Sequence, residues 1–302
     1  MKRAARELGF DACGIAAAGP ADPEDRLGEW LTRGYHAGIA WLARSRPARQ
    51  HPELVLPGVQ SVVVVARNHY QRRQAQPPGT GKVAMYACGR DYHKVLRRPL
   101  RRLAARIEAM IPEARCYCCI DSGPVLERAW AARAGVGWVG KNSLVLRRDL
   151  GSWFFLAVIL TTVELAPDAA ARGHCGSCRA CLDACPTQAI VAPGVVDSRL
   201  CISYHTIENR GEIPEVLRPA FGDWVFGCDI CQEACPWNRS VRATDEPAFT
   251  SRPGVANPDL KMLSEMDEAA FDACFAGTPV RRAKQPGIAR NARIAIENRA
   301  RR

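Results

Sequence analysis

The pattern of hydrophobic and polar positions predicts alternating helices and strands through the first 166 residues. Residues 61–66 form a valine-rich run with no polar alternation, which is typical of a strand buried on both faces. In residues 91–110, apolar side chains recur three or four positions apart and arginines fill much of the remainder, so this segment predicts an amphipathic helix. Pro99 lies inside it and predicts a kink or a break.

Shorter patterns complete this region and predict an α/β domain over residues 1–166. The predicted elements are helices at 22–34 and 124–134, strands at 116–120, 143–146 and 152–161, a loop at 71–81 and a glycine-rich loop at 136–142. Cysteines become dense after residue 167, which predicts a second domain over 167–240. A C-terminal segment, 241–302, carries a predicted helix at 267–275 and a basic end.

Composition and charge narrow the class of protein. Hydrophobic residues make up 47% and charged residues 24% of the chain, as in an ordinary globular protein. The net charge of +11 favours a polyanionic partner such as nucleic acid, with a solubilising basic surface as the alternative. Eight Lys or Arg stand against one Glu in residues 281–302. Since no apolar segment approaches a membrane span or a secretory signal, we expect a cytoplasmic protein with no membrane partner.

The 14 cysteines predict metal or redox chemistry, because disulfides are rare in a reducing cytoplasm. Residues 175–186 read C-x2-C-x2-C-x3-C-P, the ligand run of bacterial iron–sulfur ferredoxins. Zinc sites use four ligands, usually as two separate pairs, and do not account for this run.

A second run, C-x2-C-x3-C-P at residues 228–236, lacks the first cysteine of the motif because Val225 occupies that position. Cys201 is the only cysteine between the two runs, and we assign it to the vacancy. An exchange of fourth ligands between two clusters then gives two complete [4Fe-4S] sets. The predicted sets are Cys175, Cys178, Cys181 and Cys235 for cluster 1, and Cys185, Cys201, Cys228 and Cys231 for cluster 2.

The other six cysteines have no ligand spacing and are interpreted as structural. A two-cluster module alone would leave the α/β domain without a role, so we expect the clusters to feed electrons to a second site. Asp121 is a candidate there, because a carboxylate where a strand ends could exchange a proton with substrate. The alternative is a cap for the helix at 124–134. The glycine-rich loop could approach a large ligand or form a plain turn.

Taken together, these residues resemble the epoxyqueuosine reductase family, whose members use cobalamin and iron–sulfur clusters in the queuosine pathway of tRNA. The resemblance spans about residues 30 to 295 and includes both cysteine runs. The other matching segments are 89–96 (GRDYHKVL), 121–128 (DSGPVLER), 135–142 (GVGWVGKN), 201–203 (CIS), 226–232 (FGCDICQ) and 236–238 (PWN).

The resemblance implies an N-terminal α/β cobalamin-binding domain, a ferredoxin-like (α+β) domain with two [4Fe-4S] clusters, and a corrin between them near cluster 2. It implies that Asp121 is the proton donor and that Arg128 meets the tRNA, to which we add the basic tail as a further RNA contact. Cobalamin contacts are implied for Arg49, Asp121, Ser143, Leu144, Val145, Leu156, Ser203, Cys228 and Asp229.

The implied reaction reduces epoxyqueuosine to queuosine at the tRNA wobble position, with electrons from a flavodoxin- or ferredoxin-like donor. Many members continue into a helical-repeat extension, and we expect this chain to be a short form without it, acting as a monomer. Two alternatives stay open: a cobalamin enzyme similar to reductive dehalogenases, and a protein that only transfers electrons through two clusters.

Overall fold

The computed structural model describes residues 1–73 and 75–302. Its strands are β1 (Ala12–Ala17), β2 (Ser61–Asn68), β3 (Lys82–Val83), β4 (Cys116–Cys119), β5 (Trp138–Val139), β6 (Val145–Leu146), β7 (Phe154–Thr161), β8 (Ile190–Ala192), β9 (Val195–Val196) and β10 (Trp224–Phe226).

The α-helices are α1 (Lys2–Glu7), α2 (Arg26–Thr32), α3 (Ala40–Arg44), α4 (Arg46–Gln50), α5 (Tyr92–Glu108), α6 (Glu127–Arg133), α7 (Ala180–Ala184), α8 (Ile202–Ile207), α9 (Ile230–Glu233), α10 (Leu260–Glu265), α11 (Glu268–Phe275) and α12 (Lys284–Ala300). Short 3-10 helices cover Pro52–Leu54, Met85–Ala87, Glu215–Phe221, Pro236–Asn238, Pro247–Phe249 and Pro279–Ala283.

A four-stranded sheet in the order β1-β2-β7-β4 organises the N-terminal half. Both faces are covered, as the valine run predicts: Val63 and Val65 face α1 and α5, whereas Val62 and Val64 face α6. All three strand pairs are antiparallel. A continuous apolar run reports burial on both faces and does not fix strand direction.

Helix α5 confirms the amphipathic prediction. Its apolar stripe, Leu96, Leu100, Leu103 and Ile107, is buried against the sheet. The helix continues through Pro99 without a break, because packing along the whole apolar stripe stabilises it despite the missing amide donor.

Several other boundaries differ from the prediction. Helix α2 begins only at Arg26, since Asp25 adopts a left-handed conformation and its side chain accepts the Gly28 amide. Helix α6 begins at Glu127, and the glycine-rich loop contains β5. The predicted strands at 143–146 and 152–161 do not pair with each other: β6 pairs with β5, and β7 joins the central sheet.

The C-terminal half forms a second core around a short parallel pair, β3 with β10. Helix α12 packs against β10 and α10. The buried Asn291 donates from its Nδ2 to the carbonyls of Thr206 and Val225, at 3.0 and 2.8 Å, which ties α12 to α8 and β10. Among the helices of residues 1–73 and 75–302, none has the length and hydropathy to cross a bilayer.

Candidate functional site

The four cysteines assigned to cluster 1 line one small cavity, together with Lys141 and Trp237. Burial raises the pKa of Cys181, and the neighbouring thiols of Cys235, Cys175 and Cys178 raise it further. Trp138 and Trp237 pack edge-on beside this cavity, with ring centroids 5.1 Å apart. The structure therefore gathers the predicted first set into one place with an apolar wall.

The cysteines assigned to cluster 2 are also neighbours. Burial raises the pKa of the Cys231 thiol, and the nearby charges of Cys201, Asp229, Cys185 and Cys181 raise it further. Cys181 is assigned to cluster 1, so the two sets adjoin. Helices α7 and α9, which carry parts of both runs, pack on each other. Among residues 1–73 and 75–302, no three His, Cys, Asp or Glu side chains are arranged to hold a single metal ion.

The glycine-rich loop connects the N-terminal half to both cysteine runs. Lys141 Nζ donates to the carbonyls of Gly176 and Cys178, at 2.7 and 2.9 Å. Asn142 Nδ2 makes a longer contact, 3.4 Å, to the carbonyl of Cys231. The sequence analysis offered two roles for this loop, a close approach to a large ligand or a plain turn. The contacts with the cysteine runs are a further role that it did not predict.

Asp121 lies just beyond β4 with a left-handed φ of 58°. Its Oδ2 accepts a hydrogen bond from the Tyr92 hydroxyl at 2.8 Å and lies 3.5 Å from His93 Nε2. The other ring nitrogen of His93, Nδ1, is 2.8 Å from Asp91 Oδ1. The Tyr92 ring stacks between His93 and Phe155 at centroid distances of 4.1 and 4.3 Å, which fixes the geometry. The alternative role of Asp121 as a cap for α6 is wrong, because α6 begins six residues later, at Glu127.

These contacts set where the proton resides. Desolvation opposes a charged imidazole, but hydrogen bonds to Asp121 and Asp91 outweigh it and raise the pKa of His93 to about 9. Desolvation likewise opposes the Asp121 carboxylate, yet the hydrogen bonds from His93 and Tyr92 lower its pKa. At neutral pH the pair therefore consists of an imidazolium and a carboxylate, and the exchangeable proton is on His93.

Asp121 and its neighbour Arg128 are both accessible to solvent. The Asp121 side chain is 67% exposed, and Arg128 is also exposed. Even so, nearby protein atoms desolvate both groups. Burial raises the pKa of Glu127 to about 7, and the hydrogen-bond donor found at its carboxylate is the Cys119 thiol, at 3.4 Å.

Two more residues assigned to cobalamin belong to this region. The β4–β7 register pairs Cys119, two residues before Asp121, with Val158, two residues after Leu156. Arg49 is buried and donates to the carbonyls of Val125 and Gly123, at 2.8 and 3.1 Å, so it holds the loop that follows Asp121.

The β5–β6 turn contributes the next group. Ser143 has a left-handed φ of 64°, and its hydroxyl donates to the Gly194 carbonyl at 2.6 Å. Arg128 Nη1 donates to the Ser143 carbonyl at 2.6 Å, which links this turn to the Asp121 site. Leu144 is half-buried and Val145 is buried.

The last group comes from the second half of the chain. Asp229 is buried and accepts from the Met85 amide at 2.8 Å and from Arg73, and burial raises its pKa to about 6. Ser203 and Cys228 are half-buried. After burial, the charges of Asp121 and Asp229 both raise the pKa of Tyr86, so these two carboxylates lie near one tyrosine.

The basic end proposed as an RNA contact is a packed helix rather than a free tail. Six of its eight basic side chains bond to acids or backbone carbonyls of the same chain: Arg281, Arg282, Arg290, Arg293, Arg299 and Arg302.

Sequence reasoning did not give a role to His93, Glu127, Lys141 or Arg73. His93 lies in the matching segment 89–96 and in the predicted helix 91–110, but neither assigned it a role. Its stacking on Tyr92 depends on Phe155, which is distant in the chain. No local pattern marks Arg73, which pairs with Asp229 across the fold.

Family models match two parts of this chain. A family model described as epoxyqueuosine reductase QueG, DUF1730, matches residues 49–122, and a 4Fe-4S double cluster binding domain matches 174–238. The chain is 44% identical over 304 residues to the epoxyqueuosine reductase of Gloeobacter violaceus, covering 98% of this chain and 94% of that protein. Against the same enzyme of Synechocystis sp., identity is 44% over 290 residues, covering 94% and 100%.

Solved structures agree. An epoxyqueuosine reductase bound to an epoxyqueuosine-modified tRNA-Tyr stem loop superimposes with a TM-score of 0.91 at 31% identity, covering 98% of this chain and 80% of that one. The Bacillus subtilis epoxyqueuosine reductase, with an aspartate-bearing catalytic loop swung out of its active site, gives 0.89 at 31% identity and the same coverage. The chain with this sheet, these cysteine runs and this carboxylate–imidazole pair belongs to the epoxyqueuosine reductase family.

Proposed function

We propose that this chain reduces epoxyqueuosine in tRNA to queuosine, with two [4Fe-4S] clusters and cobalamin as cofactors. The observation that supports this function is that one fold contains both a proton-holding pair, His93 and Asp121, and two neighbouring sets of four cysteines. The reaction converts an epoxide, two electrons and two protons into an alkene and water. The chain must therefore supply an electron path, a proton source and a place for the RNA.

The cysteine sets fit two clusters. Cys175, Cys178, Cys181 and Cys235 surround an open cavity, and soft thiolate ligands suit iron–sulfur clusters. Cys185, Cys201, Cys228 and Cys231 are assigned to the second cluster. When bound, the clusters pass single electrons from an external donor of the flavodoxin or ferredoxin type. Lys141 holds the loop of the first set through its carbonyls.

The residues around Asp121 fit a cobalamin. The corrin ring carries amide side arms, and the half-buried Glu127 offers them a carboxylate that accepts a weak hydrogen bond from the Cys119 thiol. Half-buried Leu156 adds an apolar contact, and Ser143, Leu144 and Val145 present the β5–β6 turn to the same site. Reduced cobalamin supplies a strong reductant and nucleophile there when bound.

The chain's own acid–base chemistry centres on His93 and Asp121. His93 Nε2 holds a proton at neutral pH because its pKa is about 9. Asp121 lies beside it on a loop after β4 and can take that proton and deliver it to the opening epoxide oxygen. In the Bacillus subtilis relative the aspartate-bearing loop leaves the active site, and the left-handed φ of Asp121 is consistent with a loop that has two arrangements.

Arg128 and the net charge of +11 favour binding of the negatively charged RNA. Arg128 is exposed beside Asp121, where it can meet a phosphate or base of a nucleotide that enters the site. Recognition of a modified nucleotide in a loop suits insertion of a splayed base into a pocket.

The test is anaerobic reconstitution of the chain with iron, sulfide and cobalamin, followed by epoxyqueuosine tRNA and a chemical reductant. We expect the modified nucleoside to lose the mass of one oxygen. A control without cobalamin separates a reductase from a protein that only transfers electrons. An unchanged nucleoside mass with both cofactors bound would contradict the proposed function.

A further inference from the structure

On the basis of the function proposed above, we propose that the exposed side of α5 binds the phosphate backbone of the RNA substrate. This surface, here called the α5 basic face, consists of Lys94, Arg97, Arg98, Arg101 and Arg102. The family resemblance gives none of these five residues a role, although Lys94 lies in the matching segment 89–96. The basic side chains of the C-terminal helix are mostly bonded within the chain, whereas those of the α5 basic face are available to bind a ligand.

The five side chains form one continuous stripe. Positions three and four apart in an α-helix lie on the same face, and these residues follow that spacing over two turns, about 12 Å at 1.5 Å per residue. They border one open surface patch together with Ala105 of the same helix. The apolar stripe on the opposite side of α5 is buried in the sheet core, so the basic side chains must face outward.

These cations form no ion pairs within the described residues. Within residues 1–73 and 75–302, no ion pair or hydrogen bond involves any of the five side chains, whereas Arg106 on the next turn pairs with Glu7 at 2.7 Å. Like charges this close repel one another, which is unfavourable for folding alone. A polyanionic ligand relieves the repulsion.

The position of the stripe indicates which polyanion it binds. It begins at Lys94, directly after His93, whose Nε2 lies 3.5 Å from Asp121. An RNA nucleotide placed at Asp121 would therefore continue its chain along this face. A protein electron donor must instead approach the cysteine sets. Four of the five residues are Arg, whose guanidinium forms paired hydrogen bonds with phosphate.

The test compares two triple variants of the full chain. The first is Arg97→Gln, Arg98→Gln, Arg101→Gln. Binding of the tRNA-Tyr anticodon stem loop, with and without the modification, is measured by fluorescence anisotropy across a salt series. Each lost phosphate contact removes about 0.7–0.9 from the slope of log affinity against log salt. We expect the slope to fall by about 2 to 3 and the affinity for both RNAs to fall about tenfold or more at low salt.

The matched control removes three exposed charges on other elements: Arg33→Gln, Arg239→Gln and Lys261→Gln. We expect its salt slope to stay within about 0.5 of the parent, because none of these side chains belongs to the α5 basic face. An equal loss in the control would assign binding to net charge and overturn the α5 proposal. An unchanged salt slope in the first variant would also overturn the α5 proposal, even if that variant accepted electrons more slowly from a flavodoxin-type donor.

Iron content and far-UV circular dichroism of each variant check that the fold is retained. Since binding is measured without turnover, the two proposals fail separately. A chain that binds RNA through α5 but leaves the epoxide intact counts against the proposed function alone.

Discussion

Replacing His93 with Gln tests whether the proton for the reaction resides on the imidazole. Gln retains a polar side chain of similar reach, but it has no proton to give. Tyr92 still donates to Asp121 in this variant, so the carboxylate keeps one of its partners. What changes is the group that titrates near neutral pH.

The magnitude follows from the two pKa values involved. In the parent the pair releases its proton only as the pH rises through about 9, so more than nine-tenths of the enzyme is loaded at pH 7. In the variant the proton must reside on Asp121. An aspartate has an ordinary pKa near 3.9, and desolvation without the His93 charge raises the pKa of Asp121 but leaves it well below that of the imidazolium. The loaded fraction at pH 7 therefore falls by about tenfold or more.

The assay is single-turnover reduction of epoxyqueuosine RNA by reconstituted enzyme between about pH 5 and 10. We expect the alkaline limb to move from about 9 to the acid side of neutrality, with activity recovering toward acid pH. His51→Gln is the control, since that histidine pairs with the exposed Glu53. A variant that loses a constant factor at every pH, with its limb still near 9, would refute His93 as the proton reservoir.

Other variants test the remaining parts of the site. Asp121→Asn keeps a residue that tolerates left-handed φ but removes the charge, so turnover should be lost and the His93 pKa, followed by NMR, should fall. Cys201→Ser should remove about half of the bound iron, whereas Cys274→Ser, outside both sets, should leave iron content unchanged. Lys141→Met should lower the reduction potential of cluster 1 in an EPR-monitored titration, because a cation that favours the reduced state is removed, and Lys141→Arg should restore most of it. Replacing Asn291 with Leu leaves two buried carbonyls without donors and should lower the free energy of unfolding in urea by about 2–3 kcal/mol.

The elements that could be predicted from the sequence are those with a strong local period. Helix α5 and strand β2 each carry enough repeats for one face, or both, to be assigned without knowledge of the fold. Helix α2 and the start of α6 could not be placed as well, because their ends depend on single conformations such as the left-handed Asp25. Strand β3 is two residues long and has no periodic signal.

The site divides in the same way. The cysteine sets follow from spacing, since three thiols on one short loop determine a local arrangement. Asp121 at the end of β4 contacts Tyr92 and His93 at the start of α5. These residues are about 30 positions apart in the chain, so no short motif could predict that they are in contact. The structure also reverses the ionisation expected of a proton donor, since the pKa of Asp121 is lowered.

The pairing of β3 with β10 has a consequence for how the chain folds. Lys82 aligns with Trp224, roughly 140 residues later, so this pair closes a long loop at an entropic cost that local contacts cannot offset early. During synthesis the segment around Val83 has no strand partner until residue 226 has left the ribosome. A fragment ending near residue 166 would leave that segment unpaired, so we expect neither half to be stable when expressed separately.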